Sequence, residues 1–211
     1  MLNIEHVLPE DIEHRSFEII SEELRNRGIT LPKETEMVTK RVIHTSADFE
    51  YAQTMTYSPN AVAIAKELIQ NGADIVTDTN MALAGINKRT LARYGSEAHC
   101  FMADEDVARI AKERKVTRAT VSMEKAAGIQ KPVIFAVGHA PTALIQLYEM
   151  IQSGTFKPAF IIGVPVGFVN VEAAKELILQ TDIPYIVNRG RKGGSNVAAA
   201  ICNAILYELG R

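Results

Sequence analysis

Arg41 and His44 stand three residues apart in the run Arg41-Val42-Ile43-His44-Thr45-Ser46-Ala47-Asp48. On a helix that offset puts both side chains on one face. Histidine is the side chain whose ordinary pKa lies near neutrality, so it can give a proton and take one back. The small polar residues after it predict a helix end that opens onto a cleft, where proton exchange is possible. The same spacing also suits a packed or solvated histidine. The pair therefore needs support from the rest of the chain.

Three loops offer a different chemistry. They are Gly138-His139-Ala140-Pro141-Thr142, Gly163-Val164-Pro165-Val166-Gly167 and Gly190-Arg191-Lys192-Gly193-Gly194-Ser195. Each follows an apolar run and precedes a helical pattern. Glycine lets backbone approach a ligand closely and adopt positive φ. A helix start presents free N–H groups that favour an anion. The third loop adds Arg189, Arg191 and Lys192 to Gly193, Gly194 and Ser195, and is the strongest anion-binding candidate. Arginine forks take carboxylates and phosphates alike, so the residues leave the anion open. The basic run Lys112, Arg114, Lys115 reads as a solvated helix face. Arg118 is set apart from it, because an apolar helical segment continues to Ala127.

Other chemistries find no support. The chain lacks G-x-x-x-x-G-K-[ST] and lacks G-x-G-x-x-G after its first strand. The Gly-x-Ser-x-Gly elbow is missing. His6, His14, His44, His99 and His139 show no metal-ligand spacing, and Cys100 and Cys202 match no metal or redox pattern. The two cysteines read as small buried apolar residues. Aromatic residues are too sparse for a nucleic-acid stacking platform, and a net charge of −2 gives no basic field to recruit one.

The elements that must position these residues can be read from periodicity. Residues 11–27 predict a helix with Ile12, Phe17, Ile19, Ile20 and Leu24 as its apolar stripe and Gly28 as its stop. It carries Arg15 and Ser16. A second helical pattern opens after Pro32, with Met37, Val38, Val42 and Ile43 inward, and carries Arg41 and His44. Ser58 reads as an N-cap with Pro59 at the first helical position, ahead of a helix over 61–70. Short strands are expected at 74–78, 97–102, 132–137, 158–162 and 185–187. Helices are expected from 104, and over 143–153, 171–180 and 196–209. Asp78 and Asn80 would then stand at the carboxyl end of a strand, where open α/β sheets place ligands.

Alternating short apolar strands and helices predict a mostly parallel sheet with helices on both faces, a three-layer α/β/α fold. The 211 residues, 47% of them hydrophobic, suit one domain spanning 1–211, with no linker, repeat or low-complexity tract. The N-terminal Met1-Leu2-Asn3-Ile4-Glu5-His6 has no basic region followed by an apolar run, so no secretory signal is expected. No apolar stretch is long enough to span a bilayer. A cytoplasmic protein that binds neither membrane nor nucleic acid is the expectation.

Taken together, these stretches resemble one family. Arg15-Ser16-Phe17, Arg41-Val42-Ile43-His44, Gly138-His139-Ala140-Pro141-Thr142-Ala143-Leu144, Gly163-Val164-Pro165-Val166-Gly167-Phe168-Val169 and Arg189-Gly190-Arg191-Lys192-Gly193-Gly194-Ser195 occur in the order seen in precorrin-8X methylmutases of cobalamin biosynthesis. The resemblance covers nearly the whole chain. It implies an isomerase that moves a methyl group from C11 to C12 of a tetrapyrrole, giving hydrogenobyrinate or its cobalt form. It implies no cofactor and no methyl donor; cobalt, if present, belongs to the substrate. It assigns His44 as proton donor and acceptor, and Ser16 and Arg41 as substrate contacts. Arg118 matches a further arginine near the macrocycle's carboxylates. A homodimer with the site near the subunit boundary is also implied.

The residues fit that chemistry. A macrocycle with an apolar face and a fringe of acetates and propionates needs an apolar floor and a basic rim. Val164-Pro165-Val166 suit the floor, and Arg41, Arg118, Arg189 and Arg191 the rim. Two readings stay open beside it: a corrinoid carrier without catalysis, and a nucleotide-binding Rossmann-type oxidoreductase.

Overall fold

The computed structural model describes residues 5–210. Residues 1–4, on which part of the leader expectation rests, and residue 211 lie outside the described residues. Six strands form one sheet in the order β1-β6-β5-β4-β2-β3. They are β1 (Met55–Tyr57), β2 (Asp74–Thr77), β3 (Ala98–His99), β4 (Val133–Val137), β5 (Phe160–Gly163) and β6 (Tyr185–Asn188). Only β1 runs antiparallel, on β6; every other pair is parallel. All residues of β2, β4 and β5 are buried. Strands covered on both faces have no solvent side, which is why they read as apolar runs rather than alternating ones.

The faces divide by residue parity. Ile75, Ile134, Ala136, Ile162 and Ile186 point to one core. There they meet α2 (Glu36–Ser46), α4 (Ala61–Gln70), α5 (Asn80–Gly85) and α11 (Ser195–Leu209). Val76, Phe135, Val137, Ile161 and Val187 point to the other. It is closed by α8 (Arg118–Ala126), α9 (Pro141–Gln152) and α10 (Val171–Leu179). The expected three layers are present. Two helices lie outside them: α1 (Ile12–Asn26) packs on α2, and α7 (Glu105–Arg114) packs on α8. The short α3 (Tyr51–Thr54) and α6 (Lys88–Ala92) complete the set among the described residues.

Several local expectations shift. Ile12 and Ile19 are exposed, so α1 buries a narrower stripe of Ile20 and Leu24. Met37 is exposed as well. Ser58 does not cap α4. Asn60 holds that position in a left-handed conformation, while Ser58 Oγ accepts the Tyr185 N–H at 2.9 Å and ties β1 to β6. The strand expected over 97–102 is only Ala98–His99, set opposite Ile75 and Val76 of β2. The helical run after Asp104 breaks at Lys115, whose φ of 55° closes α7 before α8 begins. β1 was not foreseen; three residues carry too little pattern.

Strand order reverses between β2 and β4. The chain leaving β2 enters α5 over one core, and the chain leaving β4 enters α9 over the other. Such a switch point opens a crevice at the carboxyl ends of the strands.

Candidate active site

Two regions carry the candidate residues, and their chemistry differs. The first is the outer face of α1 and α2. His44 is exposed near the end of α2, and its ring stacks on Phe17 of α1 with centroids 5.5 Å apart and 24° between planes. One turn earlier, the Arg41 guanidinium lies 4.7 Å above the same Phe17 ring and 5.3 Å from that of Tyr207 on α11. Arg41 pairs with Glu13, yet its Nε is buried with no acceptor among the described residues. A buried donor without a partner costs on the order of 1–3 kcal/mol, which an arriving acceptor would recover. Ser16 is half-buried; its Oγ donates to the Ile12 carbonyl at 2.9 Å, leaving the oxygen lone pairs able to accept. A cavity of about 840 Å³ lies beside Arg41, lined by Glu13, Phe17, Lys40, Arg41 and Tyr207 among others; Ser16 and His44 border Phe17 without lining the cavity.

The second region is the row of loops at the carboxyl ends of the strands. Asp78 follows β2 and is fully buried at the switch point. Its carboxylate accepts N–H groups from Gly138 at 2.8 Å, His139 at 2.8 Å and Ala140 at 2.6 Å. Burial pushes the Asp78 carboxyl up, and the three donated bonds pull the other way. This residue thus folds the loop after β4 back onto the loop after β2. Gly138 is required there, because a Cβ would strike the backbone of Gly194 and Ser195 at 2.7 Å. Gly193, with φ of 153°, rests on the Val164 carbonyl, where a side chain would collide. The Gly194 N–H donates to that same carbonyl at 2.9 Å. The Ser195 hydroxyl shares a 2.7 Å hydrogen bond with Thr79. Gly193, Gly194 and Ser195 therefore have packing roles of their own, whatever else they do.

Beneath this loop lies Lys175, fully buried on α10. Its ammonium donates to the carbonyls of Gly190 at 2.7 Å and Lys192 at 2.8 Å. Burial lowers its pKa to about 8. Asn188 adds an N–H to the same Lys192 carbonyl at 2.6 Å. Above, Arg189 pairs with Glu176 at 3.3 Å and Arg191 with Glu172 at 3.2 Å, all four exposed. Arg118 is exposed at the first turn of α8, beside Thr117 and Thr142, whose hydroxyls sit 2.8 Å apart.

The structure brings Arg41 and His44 onto one ring, that of Phe17, and Ser16 directly precedes that ring on α1. It sets Arg118, Arg189 and Arg191 on the strand-end edge. One tie joins the two: Lys192 Nζ meets Asp48 Oδ2 at 2.5 Å and Glu50 at 2.7 Å, four and six residues beyond His44. That lysine holds the Asp48 carboxyl below the usual range. Glu13, Tyr207 and Lys175 were not singled out from sequence. A lysine within the otherwise apolar inner face of α10 was the available signal for the last. Nothing in the spacing joins Glu13 or Tyr207 to Arg41.

The chain is a doubly wound α/β protein whose exposed histidine and half-satisfied arginine rest on one aromatic ring, an arrangement able to receive an anion beside an imidazole. A precorrin-8X methylmutase family model matches residues 11–208, and the chain belongs to that family. It is 42% identical to the cobalt-precorrin-8 methylmutase of Priestia megaterium, over 94% of this chain and 88% of that one. It is 35% identical to the precorrin-8X methylmutase of Pseudomonas aeruginosa, over 93% and 94% of the two chains. The precorrin-8X methylmutase structure from Thermus thermophilus superposes with a TM-score of 0.83 at 36% identity, covering 93% of this chain and 96% of that one. The protein is thus an isomerase of cobalamin biosynthesis that moves a methyl group within its substrate. Among the described residues no helix is long and apolar enough to cross a membrane.

Proposed function

We propose that this methylmutase shifts the C11 methyl of precorrin-8, or of its cobalt form, to C12, with His44 as the proton carrier. The observation that supports this most is the shared Phe17 ring. An exposed imidazole and a guanidinium whose Nε still lacks an acceptor both rest against it. A carboxylate of the macrocycle taking that Nε would lay the conjugated ring system over Phe17 and beside His44. Protonation by His44 makes the ring electron-poor and lowers the barrier to migration. The proton returns to His44 once the methyl has moved, so the reaction is balanced without oxidant, reductant or methyl donor. No resident cofactor has a step to perform.

Ser16 accepts from or donates to the substrate at the edge of the same face. Arg118, Arg189, Arg191 and the Gly193-Gly194-Ser195 turn are proposed as the second, strand-end part of the substrate rim. They lie on a different side of the chain from Arg41. A homodimer whose boundary runs by the site accommodates that separation. The chain is proposed to act as a single cytoplasmic domain.

Purified protein mixed with metal-free or cobalt-loaded precorrin-8 tests the reading by absorption spectroscopy. The expected result is conversion to the spectrum of the methyl-shifted product, and the faster of the two substrates identifies the natural one. Tight binding with no spectral conversion of either substrate would make the protein a carrier and end the catalytic proposal. Nicotinamide or flavin titration is expected to give no binding.

A further inference from the structure

A second cavity, of about 410 Å³, opens on the far side of Arg41. Arg41, Glu13 and Tyr207 line both this cavity and the larger one along α1, so the two adjoin. Two more arginines enter it, Arg89 and Arg93. They stand four residues apart on and just after α6, exposed and on one face. Like charges at that offset repel and weaken a helix. Elsewhere Arg15, Arg27, Arg109, Arg114, Arg189 and Arg191 each meet a carboxylate, whereas the exposed Arg25 and Arg118 stand apart from each other and from any second unpaired arginine. Neither Arg89 nor Arg93 meets a carboxylate among the described residues. Among the described residues Glu13 is the cavity's one lining carboxylate, and it already pairs with Arg41.

The placement of α6 is fixed at both ends. Asn203 on α11 accepts the Asn87 N–H at 2.8 Å and donates to the Gly85 carbonyl at 2.8 Å. Just past α6, the Tyr94 hydroxyl donates to the Leu209 carbonyl at 2.9 Å. The short helix is therefore held to α11, and its two guanidiniums are carried to the cavity by rigid attachments. Among the described residues, three guanidiniums and one carboxylate leave two net positive charges around one polar opening. The unpartnered Nε of Arg41 is buried at its side.

We propose that Arg89 and Arg93, with Arg41, form a carboxylate-binding pocket that grips side-chain acids of the tetrapyrrole at the end of the site away from His44. The proposal rests on the reading that the α1–α2 face takes the macrocycle. Guanidinium forks bind carboxylates in a bidentate, charge-assisted way, and three of them around one opening select a ligand with several acids close together. Arg89 and Arg93 are specificity determinants in this scheme. They touch the fringe of the substrate and none of its migrating atoms.

The test is the double variant Arg89→Gln/Arg93→Gln of the full chain. Both side chains are exposed and meet no carboxylate among the described residues, so the fold has no need of them, and an unchanged circular dichroism melt checks this. Hydrogenobyrinate is titrated onto the wild type and the variant, and turnover of precorrin-8 is followed in parallel. The product dissociation constant and KM are expected to rise by about tenfold, by more than any fall in kcat, and the difference to shrink as salt is raised. A rise of less than about threefold in the dissociation constant overturns the proposal. A change in oligomeric state with affinity per chain preserved also overturns it, by assigning the arginines to a second copy's acids. A wild type that binds hydrogenobyrinate but does not rearrange precorrin-8 would sink the methylmutase mechanism alone, since the titration still decides the pocket.

Discussion

The α1–α2 face and the glycine loops at the strand ends look alike in sequence and unlike in structure. Both combine arginines with small or polar residues. At the strand ends most polar groups satisfy one another: three N–H groups converge on Asp78, two carbonyls on Lys175, and the Ser195 hydroxyl on Thr79, while Asn188 Oδ1 stays buried without a donor among the described residues. On the helical face the accounts stay open, with Arg41 Nε unpartnered and His44 bare on one side of Phe17. Buried polar groups are normally paired, so an unpaired one near a cavity is more informative than a glycine-rich turn. Glycine at a strand end is first a solution to close packing.

The contrast can be broken most sharply at His44. His44→Ala is expected to lower kcat by about 10²- to 10⁴-fold, the usual worth of a positioned acid, and to leave hydrogenobyrinate affinity within a few-fold. Turnover at wild-type rate would move the chemistry away from the helical face. Next comes the loop. Gly193→Ala forces a side chain onto the Val164 carbonyl, and should cost about 2–3 kcal/mol in urea unfolding, with strain and overpacking combined. A stable variant that binds product poorly would instead show the turn to be a ligand cradle. Arg41→Met is expected to weaken product binding by about 1.5–3 kcal/mol, the range for a hydrogen bond to a charged group. Unchanged affinity there would remove the rim from the first region.

The smallest effect is a pH slope. Lys175 is lowered to about 8 in the folded chain, against about 10.4 when unfolded. Between those values the unfolded chain holds the extra proton, so wild-type stability should rise with pH relative to Lys175→Met. The gain is expected to be about 1.5 kcal/mol from pH 8 to 9.5. A flat difference would mean that the ammonium stays charged under the loop.

The sheet and its helices were legible because buried parallel strands leave continuous apolar runs, as at Val133–Val137, bounded by glycine and proline. The order of the strands and the antiparallel β1 were not, since pairing partners leave no local mark in three residues. On the site, the Arg41–His44 offset survived as a shared face because helical spacing is a local property. Which loop glycines pack and which could face a ligand was hidden, because Gly193 is decided by the Val164 carbonyl, about thirty residues away in sequence. Arg89 and Arg93 carry no local signal that sets them apart. Their meaning depends on Arg41, brought beside them only by α11.

Both margins of the sheet are blunt: β1 offers three residues and β3 two. A strand donated by another molecule would find almost no ladder of free amides and carbonyls to extend. A second molecule would thereby be left helix flanks and loop tips such as the bare Phe168 and Val169, where side-chain shape rather than main-chain pairing chooses the mate.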